Sequence, residues 1–243
     1  MTLRLKDRGC RNKELLVRNP IPSTLPPIPC SWAVVSDFDG TITLCDVGDS
    51  ILLHFDAATK KEIEDSYAFG VNMCEWMRKV FLKLRAPKEK IQAHVLASTR
   101  LRNGFKSFPA FCAANSVPFE IASGGIDLYA EPVFSKHRLK AKSFFGKARV
   151  AGNGVKITYP FLKKNTLDDF KAHRVLRLRR LGYKVIFCGD GTTDLKAARA
   201  ADKVFAAKKL FGHCRALGLK ATRLKNFHQV RDFLIQEGLK AED

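Results

Sequence analysis

The sequence contains no run of eighteen apolar residues, so no transmembrane helix is expected. Its basic start (Arg4, Lys6, Arg8, Arg11, Lys13) is not followed by the apolar core of a signal peptide, and cytoplasmic residence is the expectation. No C-x-x-C pair occurs among the seven cysteines, which argues against a zinc ribbon or a dithiol redox centre. An odd count also argues against a closed disulfide framework, so the cysteines read as small buried hydrophobes. The six histidines show neither H-x-x-x-H nor H-E-x-x-H spacing and receive no catalytic role. Ser123 lacks the G-x-S-x-G elbow of a serine hydrolase. Acid is scarce as well: 24 Asp and Glu stand against 43 Lys and Arg, a formal charge of +19. That imbalance draws anions in general, whether a phosphorylated metabolite, nucleic acid or an anionic surface. A solvated basic surface explains most of it, because charge alone does not select a partner.

What remains is ordinary globular material. A chain of 243 residues accommodates one substantial domain with a smaller appendage. Residues 1–30 read as a basic arm ending in the proline-rich run Pro20 to Pro29, which neither continues a helix nor pairs within a sheet. Trp32 to Phe38 is a short apolar run, the pattern of a buried parallel strand. Val47 to Arg102 reads as helical, with Trp76, Met77, Val80, Phe81 and Leu84 forming one apolar stripe.

Downstream, Lys106–Asn115 is expected to be a helix and Val117–Ala122 a strand leading into Ser123-Gly124-Gly125. Val133-Phe134, Ala148–Ala151 and Val155–Tyr159 read as short strands, the last two joined at Gly152-Asn153-Gly154. Thr166 with Asp169 resembles a capping box for a helix that stops at Gly182. Strands at Lys184–Cys188 and Val204–Ala206 and helices at Thr193–Ala201 and Phe227–Gln236 complete the pattern. Strands alternating with helices imply an α/β fold with a mostly parallel sheet.

Two acidic clusters follow apolar strands. In Asp37-Phe38-Asp39-Gly40-Thr41 two carboxylates lie two residues apart at a strand end, where open parallel sheets bind ligands. Carboxylates crowded in this way repel unless a cation or proton intervenes, which points to a hard metal ion. In Gly189-Asp190-Gly191-Thr192-Thr193-Asp194, the two aspartates flank the N-terminus of the next predicted helix and could help hold Mg²⁺. Either cluster alone is as well explained by a surface turn or a helix cap. Ser123-Gly124-Gly125 offers a hydroxyl and open backbone N–H groups to phosphate oxygens, and Lys171 offers charge to a transition state.

Taken in order, DFDGT, the Ser123-Gly124-Gly125 segment, Lys171 and GDGTTD resemble the four motifs of the haloacid dehalogenase superfamily, across about Trp32 to Phe233. The similarity is nearest to the phosphoserine phosphatase-like branch, including the phosphatases that act on an enol-phosphate in methionine salvage. It implies a Rossmann-like α/β fold: core residues 31–46 and 103–243, with a small helical cap, 47–102, inserted after the first strand. It implies that Asp37 is the nucleophile and Asp39 the acid and base. Asp37, the Asp39 carbonyl and Asp190 would hold Mg²⁺, with Asp194 in support, and Ser123, Gly124 and Lys171 would bind the phosphoryl group. Asp39 disfavours dehalogenase chemistry, which has no leaving oxygen to protonate.

Asp46 stands where phosphoserine phosphatases carry a glutamate that contacts the substrate amine, and the shorter side chain weakens a phosphoserine assignment. Arg100 and Arg102 read as solvated cap residues rather than substrate contacts. A small phosphate ester is the favoured partner, with no membrane role and no reading of oligomeric state. A phosphotransferase or mutase, or a nucleic-acid-binding or nucleic-acid-end phosphatase protein on the same fold, is the alternative. Unscreened carboxylates are poor neighbours for a polyanion.

Overall fold

The computed structural model describes residues 31–152 and 154–241, so the arm expected over residues 1–30 lies outside the described residues, as does Asn153 of the expected turn. Seven strands follow in chain order: β1 (Trp32–Ser36), β2 (Phe119–Ile126), β3 (Lys142–Ala151), β4 (Gly154–Thr158), β5 (Lys184–Gly189), β6 (Lys203–Ala206) and β7 (Thr222–Arg223). They form one sheet in the order β4-β3-β2-β1-β5-β6-β7, parallel throughout except for the antiparallel β3–β4 hairpin. This is the α/β architecture expected. Central β1 is buried along its whole length, which explains its unbroken apolar run.

Five helices stand between β1 and β2: α1 (Val47–His54), α2 (Lys60–Ser66), α3 (Met73–Phe81), α4 (Lys88–Ser98) and α5 (Phe108–Ala114). The stripe read from the sequence buries Met77, Val80 and Phe81 on α3 and Leu84 just beyond it, while Trp76 is half-buried. The helical stretch is not continuous, because Pro87 and the capping residues Asp46, Thr59 and Asn72 restart it. Helices α6 (Asp127–His137), α7 (Leu167–Arg180), α8 (Leu195–Ala200) and α9 (Lys208–Ala216) connect later strands, and α10 (His228–Gln236) follows β7. Thr166 caps α7 through the Asp169 N–H, but the Asp169 carboxylate takes the Thr166 hydroxyl, so the box is only half made.

Two expectations are corrected. Val133-Phe134 is not a strand but part of α6, despite Pro132 inside that helix. Proline has no N–H for the carbonyl of Leu128 four residues earlier, and the Gln92 side chain donates to that carbonyl instead at 3.2 Å. Ser123-Gly124-Gly125 does not follow the strand but lies within β2, where the pairing with β3 shifts register between Ala122 and Ile126. Helix α9 and strand β7 had no counterpart in the sequence reading. No helix among the described residues is long and apolar enough to cross a membrane.

Pairing registers assemble the site. Ser36 lies opposite Cys188 of β5 and opposite Ile121 of β2, so the segments following all three residues emerge side by side at one edge of the sheet. The flank of this core carries a buried ion pair. Glu120 of β2 accepts two 2.7 Å hydrogen bonds from Arg174 of α7, with Lys142 at 3.1 Å. Glu120→Ala is expected to strand the Arg174 guanidinium and cost about 3 kcal/mol, near the lower end for a broken buried pair. Thermal melting should show a fall of roughly 5–10 °C, with the fold otherwise intact.

Candidate active site

Asp37 follows β1 directly and is almost fully buried. Its Oδ1 accepts the Phe38 N–H at 2.7 Å, and its Oδ2 lies 2.8 Å from Nζ of Lys171. Lys171 sits on the buried face of α7, 1% exposed, and its ammonium also reaches Asp194 at 2.7 Å. Burial works against the charge on Lys171, but Asp194 and Asp37 outweigh it and hold the ammonium protonated well above its usual range. The second oxygen of Asp194 accepts the N–H groups of Asp190 and Gly191 at 2.9 and 3.0 Å. The acid therefore closes the loop after β5 instead of capping a regular helix. A 3-10 turn over Thr192–Asp194 precedes α8, where a helix starting at Thr193 was expected.

Asp190 meets Lys208 at 3.2 Å and the Thr41 hydroxyl at 3.4 Å. Gly40 has φ +71, and a side chain there would collide with the Asp190 carboxylate and come 2.5 Å from Nζ of Lys208. Gly40→Ala therefore combines backbone strain with displacement of an acid of the cluster. It is expected to cost about 1–2 kcal/mol of stability and, by moving reacting groups, roughly 100-fold in turnover. Steady-state assays beside melting curves check both.

Asp39 turns away from this cluster although it lies only two residues from Asp37. Its Oδ1 accepts the Val47 N–H at 3.0 Å and its Oδ2 the Tyr129 hydroxyl at 2.7 Å. Because β1 ends at Ser36, strand alternation no longer governs these side chains and the two acids meet different partners. Burial, followed by the nearby Asp46 carboxylate, holds the Asp39 carboxyl well above the usual range, against the opposing hydrogen bonds from Tyr129 and Val47. Burial and the facing acids likewise push Asp37 up to about 7, against the pull of Lys171, and Asp190 up to about 6.

Oxygens of Asp37, Asp190 and Asp194 lie within 4.8 Å of one another. Three crowded carboxylates, two of them reluctant to ionise, form a hard-oxygen donor set that fits a divalent cation such as Mg²⁺. The Asp39 side chain is not in that cluster.

In β2, Ser123 is buried and its Oγ accepts the Gly125 N–H at 3.0 Å. A side chain on Gly124 would come 2.6 Å from Leu167 of α7, and the Gly124 carbonyl accepts the Tyr159 hydroxyl at 2.8 Å. Asp46 caps α1 through the Asp49 N–H and accepts the Tyr67 hydroxyl at 3.0 Å. Asp37, Asp39, Asp46, Ser123, Lys171 and Asp190 border one cavity of about 660 Å³, which also has an apolar wall including Leu44, Leu53, Met73 and Met77, while Asp194 is fully buried outside its lining.

Arg102 is neither a solvated residue nor a substrate contact. It is buried and donates to the carbonyls of Thr41 and Gly40 at 2.6 and 2.7 Å, bracing the turn that carries the first two acids. Arg100 is exposed and donates to Ala97 and Thr99. Of the histidines, His54 and His94 stack at 3.9 Å on α1 and α4. Four of the five described cysteines are buried, while Cys45 is exposed. Asp49, Tyr67, Tyr129 and Lys208 are site residues that the sequence reading missed. Position next to a motif is the only signal Tyr129 carried, four residues after Gly125.

Fold and site together define an α/β enzyme of the doubly wound type, with its acids at the C-terminal ends of neighbouring parallel strands. A family model described as haloacid dehalogenase-like hydrolase matches residues 34–199. Two similar proteins are 2-hydroxy-3-keto-5-methylthiopentenyl-1-phosphate phosphatases. That of Bacillus velezensis is 28% identical, covering 82% of this chain and 87% of the relative. That of Geobacillus thermodenitrificans is 32% identical, covering 82% and 93%. A substrate-bound phosphoserine phosphatase structure superposes with a TM-score of 0.66 at 16% identity, over 84% of this chain and 98% of the other, a likeness of fold. The chain belongs to the haloacid dehalogenase-like hydrolase family, as an enzyme of its phosphatase group.

Proposed function

We propose that this chain is a Mg²⁺-dependent phosphomonoesterase that hydrolyses a small phosphorylated metabolite through an aspartyl-phosphate on Asp37. The observation that carries the reading is the buried Lys171 ammonium bridging Asp37 and Asp194, a cation set against the acid that would attack phosphorus. Phosphoryl transfer asks mainly for positioning and charge neutralisation, which such a cluster supplies.

In the first step an Asp37 oxygen bonds to phosphorus, the ester P–O bond breaks, and the leaving oxygen takes the proton of Asp39. In the second, water attacks phosphorus and gives its proton to the Asp39 carboxylate. The P–O bond to Asp37 then breaks, releasing inorganic phosphate. The raised Asp39 carboxyl supports its service as the acid. Ser123, Gly124 and Lys171 would bind the phosphoryl oxygens. Asp37 and Asp190 would hold Mg²⁺ with the Asp39 carbonyl, and Asp194 would support the shell. The metal would neutralise charge on the transferring group.

The segment 47–102 would act as the cap over the core 31–46 and 103–243. Asp49 and Tyr67 of that cap, with Asp46 at the core edge beside them, and the Leu44, Leu53, Met73 and Met77 wall suit a substrate with hydroxyl groups and an apolar end. The compound in the relatives' names is therefore the first to test. Phosphate release from it and from a panel of phosphate esters, with Mg²⁺ and with chelator, checks the reading. Turnover lost on chelation and restored by Mg²⁺ is expected. Equal turnover in both conditions, or transfer to an added alcohol instead of water, would overturn it.

A further inference from the structure

Asp39 is held at both ends, and one of the two holders is a side chain. Tyr129 lies two residues into α6, directly after β2, and is 1% exposed. Its hydroxyl donates to Asp39 Oδ2 at 2.7 Å, while the Val47 N–H fixes Oδ1. The approach depends on the neighbouring glycine, because a side chain at Gly125 would collide with the Tyr129 hydroxyl and come 2.5 Å from Asp39 Oδ2. Gly125 is thus bare where the tyrosine and the acid meet, a requirement separate from phosphate binding.

We infer that Tyr129 is a positioning residue for the leaving-group step: it orients the Asp39 carboxyl and stabilises the carboxylate formed as the proton passes to the departing oxygen. This rests on the reading of Asp39 as general acid. Two hydrogen bonds lock the carboxyl plane, and both favour the ionised form over the neutral one. The benefit therefore appears as Asp39 gives up its proton. It should be large when the leaving oxygen is a poor leaving group and small when it departs without help.

The test compares kcat/KM for two substrates, since this quantity covers only the steps up to departure of the leaving group. One is the best alkyl phosphate from the panel and the other is 4-nitrophenyl phosphate, with Mg²⁺ present. Tyr129→Phe should lower the first about 10- to 100-fold, the range of a hydrogen bond to a charged group, and the second by less than about 3-fold. Gly125→Ala, which crowds the same contact from the strand side, should give the same asymmetry. Asp39→Asn is the reference and should show a larger asymmetry of the same sign.

If Asp39→Asn shows the asymmetry and Tyr129→Phe loses both substrates equally or neither, the role of Tyr129 is overturned while that of Asp39 stands. If Asp39→Asn itself shows no asymmetry, the acid assignment beneath both has failed. Melting temperature of Tyr129→Phe should fall by no more than a few degrees, the cost of one buried hydrogen bond, and Mg²⁺-induced stabilisation should match the parent, which excludes a general loss of structure.

Discussion

Asp37→Asn is expected to reduce phosphate release by at least ~10⁴-fold, the order seen when a covalent nucleophile is removed. The amide is close in shape to the acid and its oxygen can still accept the Phe38 N–H or the Lys171 ammonium, the two partners at 2.7 and 2.8 Å. The fold should survive. What disappears is the electron pair that attacks phosphorus and the acyl-phosphate that follows. With a labelled substrate, the parent should yield a hydroxylamine-sensitive phosphoprotein during turnover, and the variant none. Mg²⁺ should also raise the melting temperature of the variant less than that of the parent, because one donor of the cluster of carboxylate oxygens within 4.8 Å of one another has lost its charge. Residual turnover within about 10-fold of the parent would instead make water the attacking group from the start.

Lys171→Met should produce the largest combined loss of stability and activity. The ammonium is the buried partner of both Asp37 and Asp194, and the latter is fully inaccessible. Methionine fills similar volume but leaves the two acids facing each other in a site where burial already disfavours ionisation of Asp37. Breaking a buried pair in this way costs about 3–5 kcal/mol, or roughly 10 °C of melting temperature in a chain of this size. Saturating Mg²⁺ should recover part of that loss, since a divalent cation relieves the same repulsion. It should not recover turnover, which is expected to fall about 10³-fold with the loss of charge on the phosphoryl group. A variant that melts with the parent in chelator would show that the bridge contributes nothing net to folding.

The residues that were legible beforehand share one property: their meaning is local. Asp37 and Asp39 follow an apolar strand within three residues, and Asp190 and Asp194 follow β5 within five, so each acid is placed by the chain around it. Lys171 is different. It is one of 43 basic residues, and nothing in its neighbourhood marks it as buried. Its assignment came from order along the chain relative to the other motifs. Val133-Phe134 was misread because two apolar residues beside a proline carry no period, and the side chain that repairs the missing hydrogen bond comes from Gln92. Helix α9 was missed because only Leu210 and Cys214 are buried on it, too few to mark a stripe.

By itself, the sequence determined the α/β class and the strand ends on which the acids sit, because an apolar run followed by a carboxylate and a glycine allows few other arrangements. Only the tertiary structure decided which acid faces which partner. Asp37 and Asp39 part company beyond the end of β1, Arg102 comes to grip the turn at Gly40 from across the fold, and Tyr129 reaches Asp39 over 90 residues of chain. These pairings depend on strand register and helix approach, distances that no local pattern of residues encodes.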